Sequence, residues 1–288
     1  MRIPPYWAKA VHTGKDKKGQ TRSFLAWGWS LDNLATAKKN ATEKAKRIFD
    51  RLTTGTSPSH YGYLDQPLRE EIVESISSEG KDIALITRNR YGALVLNTDS
   101  VCFADIDFPP LRTTGLMDGI LLAFSRKRKS QRMQTVREKT IQSVRDWAKQ
   151  NPDRSFRLYR TFAGLRLLFT DRLYDPTSSS ETDKFLAGLG SDPLYRKLTE
   201  KQECFRARLT PKPWRSNCDK PPNRYPREDA SAEKRYREWE QEYQNKSWKF
   251  ATCELIDSIG KGMSEKIINT VVEIHDRYVF NNKGATLA

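Results

Sequence analysis

An α+β fold is the class predicted for this chain of 288 residues, on two observations. Short segments rich in β-branched and aliphatic residues lie in the middle of the chain, separated by turn-forming clusters. Longer segments around them repeat apolar residues at spacings of three and four, the period of a helix face. In order, the middle reads meander, helices, hairpin. The expected architecture is an antiparallel sheet of about five strands flanked by helices, with a helical C-terminal extension. Its expected division is a helix-and-strand N-terminal region over residues 1–80, an α+β core over 81–215, and a Pro-rich linker with a helical region over 216–288.

From the N-terminus, the aromatic and apolar stretch Ser23 to Trp29 reads as a short strand, and Ser30 offers an N-cap hydroxyl. Leu34, Ala37, Ala41, Ala45, Ile48 and Leu52 then share one helical face, while Lys38, Lys39, Lys44 and Lys46 fall largely elsewhere. A Thr-, Ser-, Gly- and Pro-rich loop follows from Thr53 to Tyr63, and Leu68 to Ser77 reads as a second helix. Ile83 to Thr87, Ala93 to Thr98 and Val101 to Asp107 read as an antiparallel meander, ended by Pro109 and Pro110. Helices are expected over Gly115 to Phe124 and Thr135 to Gln150, then a hairpin of Ser155 to Arg160 and Leu165 to Thr170. Phe185 to Leu198 reads as a helix broken near Gly190 and Pro193. Five prolines between Pro211 and Pro226 remove too many backbone donors for a regular element, leaving a linker or rigid loop. Ala230 to Ser258 and Ser264 to Phe280 read as two closing helices.

Charge is the strongest compositional signal. The chain carries 51 Lys and Arg against 36 Asp and Glu, a net charge of +15. With 37% hydrophobic and 10% aromatic residues it is outside the disordered class. Four scattered cysteines do not make a secreted disulfide scaffold. No signal-like run opens the chain, and nothing approaches the roughly eighteen consecutive apolar residues of a membrane span. A cytoplasmic protein with a polyanionic partner is expected, nucleic acid or nucleotide phosphates foremost, and no membrane.

Within Phe103 to Pro109, residues two apart on a strand point to one face, so Asp105 and Asp107 would stand side by side. Like charges that close need a cation between them, and Mg²⁺ or Mn²⁺ with oxygen ligands is a common solution; an exposed strand end is the competing reading. Arg166 lies in an apolar strand and needs an anion, either a phosphate or a carboxylate such as Asp105 or Asp107. Arg160 is close by, and Arg206, Arg208, Lys212 and Arg215 interleave with Phe205, Leu209 and Trp214, a pattern that suits triphosphate or template contacts, with a solvated basic strand as the simpler reading. Arg126, Lys127, Arg128, Lys129 and Arg132 form a further basic cluster suited to a nucleic-acid backbone. The adjacent pair His275 and Asp276 lacks the further histidines of a phosphohydrolase metal site, and adjacent helical residues diverge by about 100°.

The strand ending in Asp105 and Asp107, the helix after it, and the hairpin carrying Gly164 resemble the catalytic core of the archaeo-eukaryotic primases and related primase-polymerases. The Arg206 to Lys212 segment echoes that family's later arginine, proline and lysine segment. The resemblance runs roughly from Ile83 to Arg215. It implies a metal-dependent nucleotidyltransferase core, with Asp105 and Asp107 as catalytic metal ligands and Asp171 as a candidate third. Where the family has a nucleotide-contacting histidine this chain has Arg166, which can hold phosphate but cannot carry a proton near pH 7. The leading expectation is therefore such an enzyme, acting on nucleic acid and nucleoside triphosphate, or an inactive relative that binds nucleotide phosphates. A non-catalytic nucleic-acid-binding or regulatory module and a metal-dependent nuclease are the alternatives.

Overall fold

The computed structural model describes residues 1–54, 67–111, 113, 115, 117, 120, 121, 124–177, 181–280 and 285–288. The expected helix over Gly115 to Phe124 and the loop over Thr53 to Tyr63 fall in large part outside them. The fold is α+β, with antiparallel sheets flanked by helices. Among the described residues, no helix is long and apolar enough to cross a membrane.

The chain opens with a hairpin of β1 (Tyr6–Lys15) and β2 (Thr21–Ser30), which packs on α1 (Leu34–Thr54). Ala37, Ala41 and Ala45 are fully buried on the helix face that the spacing predicts. The approach is so close that a Cβ on Gly28 would stand 2.2 Å from the Ala41 amide nitrogen. Asn33, rather than Ser30, caps the helix, accepting from the Thr36 amide at 2.8 Å. The Ser30 hydroxyl instead accepts from the Asp32 amide in the turn before it.

The single expected sheet is in fact two sheets of four strands. One has the order β3 (Glu71–Ser78), β4 (Lys81–Arg88), β5 (Leu94–Thr98), β9 (Phe205–Arg208). The other has the order β11 (Cys253–Ile259), β7 (Phe156–Thr161), β8 (Gly164–Phe169), β6 (Phe103–Asp107). The meander is thus corrected: β4 and β5 pair, but β6 leaves them and pairs with β8. Leu68 to Ser77 is not a helix but leads into the edge strand β3, and the first closing helix stops at Ser247 so that the short β10 (Phe250–Ala251) and then β11 can follow. Because β3 and β4 form a hairpin across residue 80, and β11 pairs with β7, the expected three-part division cuts through both sheets.

In the β6-bearing sheet, Phe156 and Phe169 meet Trp147 of α2 (Arg126–Gln150), and Phe169 also meets Phe185 of α3 (Glu181–Gly188), while Leu158, Leu165 and Leu167 are buried on the same sheet face. The opposite face carries Phe103 and Tyr159, which pack on His275 of α6 (Lys266–Val279). Ala84, Ile86, Leu96, Phe205 and Ala207 of the other sheet join the same hydrophobic core. Helix α4 (Pro193–Gln202) leads directly into β9. The five-proline segment is a rigid loop: it lies under α5 (Ala230–Ser247), where the Tyr243 hydroxyl donates to Pro211 O. All four cysteines are free and buried.

His275 is completely buried. Its Nδ1–H donates to Asp276 Oδ1 at 3.0 Å, which leaves Nε2 a bare acceptor with no partner among the described residues. Burial pulls its pKa down from the ordinary 6.5 to about 4. In the unfolded chain the ring takes up its proton near pH 6.5, so protons favour unfolding below that value. Stability present above pH 6.5 should therefore fall as the pH drops toward 4, by up to about 3 kcal/mol. Denaturant unfolding from pH 7 to 5 checks this: His275→Asn should flatten the slope, and an unchanged slope in the variant would contradict it.

Candidate functional site

The polar ends of the two sheets meet at a cleft of about 900 Å³. Period-two geometry explains its wall. Cross-strand pairing sets Asp107 beside Gly164 and Asp105 beside Arg166 on one sheet face, while β9 contributes Arg206 and Arg208 from one face of the other sheet. Asp105 and Asp107 both open into the cleft, as expected from their spacing. Gly164 is required there, because a Cβ would stand 2.1 Å from Ile106 O.

Arg166 is fixed rather than free. Its Nε donates to Asp105 Oδ1 at 2.9 Å and its Nη2 to Asp105 Oδ2 at 3.3 Å, a two-pronged pair. Its Nη1 donates to Arg208 O at 2.8 Å, which ties the two sheets together. Of the two alternatives for the anion that Arg166 needs, the carboxylate is the one in place. Arg206 is similarly paired, donating from Nη2 to both oxygens of Glu70 at 2.9 Å. Glu70 also accepts from the Thr87 hydroxyl at 2.6 Å. Glu70 has no sequence motif; only its place beside the buried strand pair marks it.

Close to β9 three further cations line the cleft. Arg208 makes a 3.2 Å hydrogen bond to Thr210 O, but among the described residues neither it nor Lys212 nor Arg215 has a carboxylate partner. Arg208 and Lys212 are half-buried. Arg215 lies over the Phe162 ring, 4.1 Å from its centre. Burial, and then the nearby Arg166 and Arg215, pull the Arg208 pKa down to about 10. Burial lowers Lys212 and Arg215 as well, with Arg208 and Arg215 adding to the effect on Lys212 and the nearby Asp107 partly offsetting it for both. Asp107 has no hydrogen-bond or ion-pair partner among the described residues. Its pKa is raised, first by burial and then by the neighbouring Asp192 and Asp105. Along the whole wall eleven basic side chains face four acidic ones, so the cleft is cationic.

The other expected site residues are elsewhere. Asp171 accepts from Arg154 at 3.2 Å and from the Tyr174 hydroxyl at 2.8 Å, outside the cleft wall. Arg160 pairs with Glu254 across β7 and β11, also outside it. Arg126, Lys127, Arg128 and Lys129 are exposed on the first turns of α2 with Arg132 just beyond, and none of the five lines the cleft. For Mg²⁺ or Mn²⁺ the donor set does not fit as it stands. Both oxygens of Asp105 are engaged by Arg166, only Asp107 is open, and no group of three acidic, histidine or cysteine residues converges among the described residues.

Removing one member of the Arg166 pair should have unequal effects, because the Arg166 side chain is 3% exposed and that of Asp105 is 35% exposed. Asp105→Ala strands a buried guanidinium and should cost about 3–5 kcal/mol. Arg166→Met leaves a carboxylate that water reaches and should cost clearly less. Urea unfolding of both variants checks the order, and equal losses would contradict it. No protein-family model, curated protein or solved structure matches this chain.

Proposed function

We propose that the chain is a nucleic-acid-associated protein that holds the phosphates of a nucleotide in this cleft, on a primase-like sheet whose first metal carboxylate has been committed to an arginine. The observation that carries this reading is the trio Arg208, Lys212 and Arg215, cations gathered in a cleft without a carboxylate partner among the described residues. Bringing such groups together raises the energy of each charged form, and a polyphosphate is the ligand chemistry that relieves it. The planar guanidinium groups match phosphate oxygens, and Lys212 adds a point charge. At about 900 Å³ the cleft is at the upper end of the range of roughly 300–1,000 Å³ common for small-molecule sites.

Metal-dependent nucleotidyl transfer, or phosphodiester cleavage on the same residues, is the second reading, favoured by the opening of Asp105 and Asp107 to the same cleft. It requires Arg166 to release Asp105 so that two carboxylates can share a cation. The two readings give opposite signs at Asp107. In a phosphate site Asp107 is an opposing charge, whereas in a metal site it is a ligand.

Titration calorimetry with a nucleoside triphosphate in the presence of a chelator separates them. Arg208→Gln should weaken binding by about tenfold or more, the loss of a charged hydrogen-bonding group. Asp107→Asn should tighten it several-fold, and it should also raise the thermal midpoint near neutral pH, where the raised pKa makes the ionised carboxylate destabilising. Binding that appears only with Mg²⁺ or Mn²⁺ and vanishes in Asp107→Asn would overturn the proposal in favour of the enzyme.

A further inference from the structure

The same cleft has a second cationic centre, supplied by segments outside the primase-like stretch. Arg69, on the extended lead-in to β3, lies over the Trp27 ring at 4.2 Å from its centre. Arg224 belongs to the Pro-rich loop and lines the cleft with it. The loop is anchored on both sides of Arg224: Asn223 Nδ2 donates to Ala232 O at 2.8 Å, and the Tyr225 hydroxyl donates to Pro5 O at 3.1 Å. Two arginines are thus held near each other, and among the described residues neither has a carboxylate partner. Burial lowers the Arg69 pKa, and the charge of Arg224 lowers it further.

Arg224 acts on Arg69, and Arg215 on Arg208 and Lys212, whereas other charges of the cleft wall are already matched. Arg206 is paired with Glu70, and Arg227 donates to Glu71 at 2.7 Å. Among the described residues, cations without a carboxylate partner thus gather around Arg208, Lys212 and Arg215 and around Arg69 and Arg224, with Trp27 as a half-buried aromatic shelf beside the second. A single compact polyphosphate satisfies one centre and leaves the other bare.

Building on the phosphate-binding reading above, we propose that Arg69, lying over Trp27, and Arg224 form a second phosphate subsite, and that the ligand carries two phosphate groups held apart by a nucleoside. A 5′-phosphorylated dinucleotide is the smallest probe with that chemistry. One phosphate engages Arg208 and Arg215, the other engages Arg69 and Arg224, and the intervening nucleoside passes over the matched wall.

Binding of inorganic tripolyphosphate and of a 5′-phosphorylated dinucleotide, measured by calorimetry for the full chain, tests this. The double variant Arg69→Gln/Arg224→Gln should weaken the dinucleotide about tenfold or more while leaving tripolyphosphate within about twofold. Tripolyphosphate binding also reports that the variant is folded. Arg208→Gln should weaken both ligands. If Arg208→Gln weakens both but the double variant affects the two ligands equally, or affects neither, the second subsite is overturned while the phosphate-binding reading stands. If the wild-type chain binds neither ligand, both fail.

Discussion

The two-pronged pair between Arg166 and Asp105 is the interaction on which the rest of the site depends. It crosses from β8 to β6 inside one sheet, and the remaining guanidinium nitrogen reaches the backbone of β9 in the other. A guanidinium only 3% exposed requires such partners, because an unpaired buried charge costs several kcal/mol. Satisfying it uses both oxygens of one of the two strand carboxylates. What remains is an open carboxylate, Asp107, beside cations that outnumber it and make no ion pair among the described residues, an arrangement suited to receiving an anion.

The surrounding elements act by placing charges around that pair. Gly164 allows β8 to come close to β6, and Tyr243 holds the Pro-rich loop down where Lys212 and Arg215 face the cleft. The β1–β2 hairpin, locked onto α1 by the contact of Gly28 with Ala37 and Ala41, brings Trp27 to the same wall. Other charges in and around the cleft are locally balanced: Glu71 accepts from both Arg227 and Arg237, and Glu240 pairs with Arg88 and Arg237. Uncompensated charge is therefore a feature of particular places on the molecule.

Part of this was legible in the sequence. Two-residue spacing put Asp105 and Asp107 on one face, and an arginine in the apolar run Leu165 to Phe169 announced a buried anion, with Asp105 among the candidates. The helix over Leu34 to Leu52 and the hairpin around Gly164 followed from periodicity and turn chemistry. What failed has physical causes. Both strands misread as helix, β3 and β11, contain register shifts, between Ile72 and Glu74 and between Leu255 and Asp257, which erase the alternation that identifies a strand. β1 interrupts its apolar residues with Lys9, His12, Gly14 and Lys15, since only one face of a two-stranded hairpin is covered. The pairing of β6 with β8, and the arrival of Arg69, Glu70 and Arg224 at the cleft, are long-range events that no local pattern encodes.

A crystal structure of the chain grown with a nucleoside triphosphate and Mg²⁺ tests most directly whether the cleft is an anion site built around a committed carboxylate. The expected result places phosphate oxygens within hydrogen-bonding distance of the Arg208 and Arg215 guanidinium groups, with Arg166 still paired to Asp105. A metal ion bridging Asp105 and Asp107, with Arg166 turned away, would contradict it.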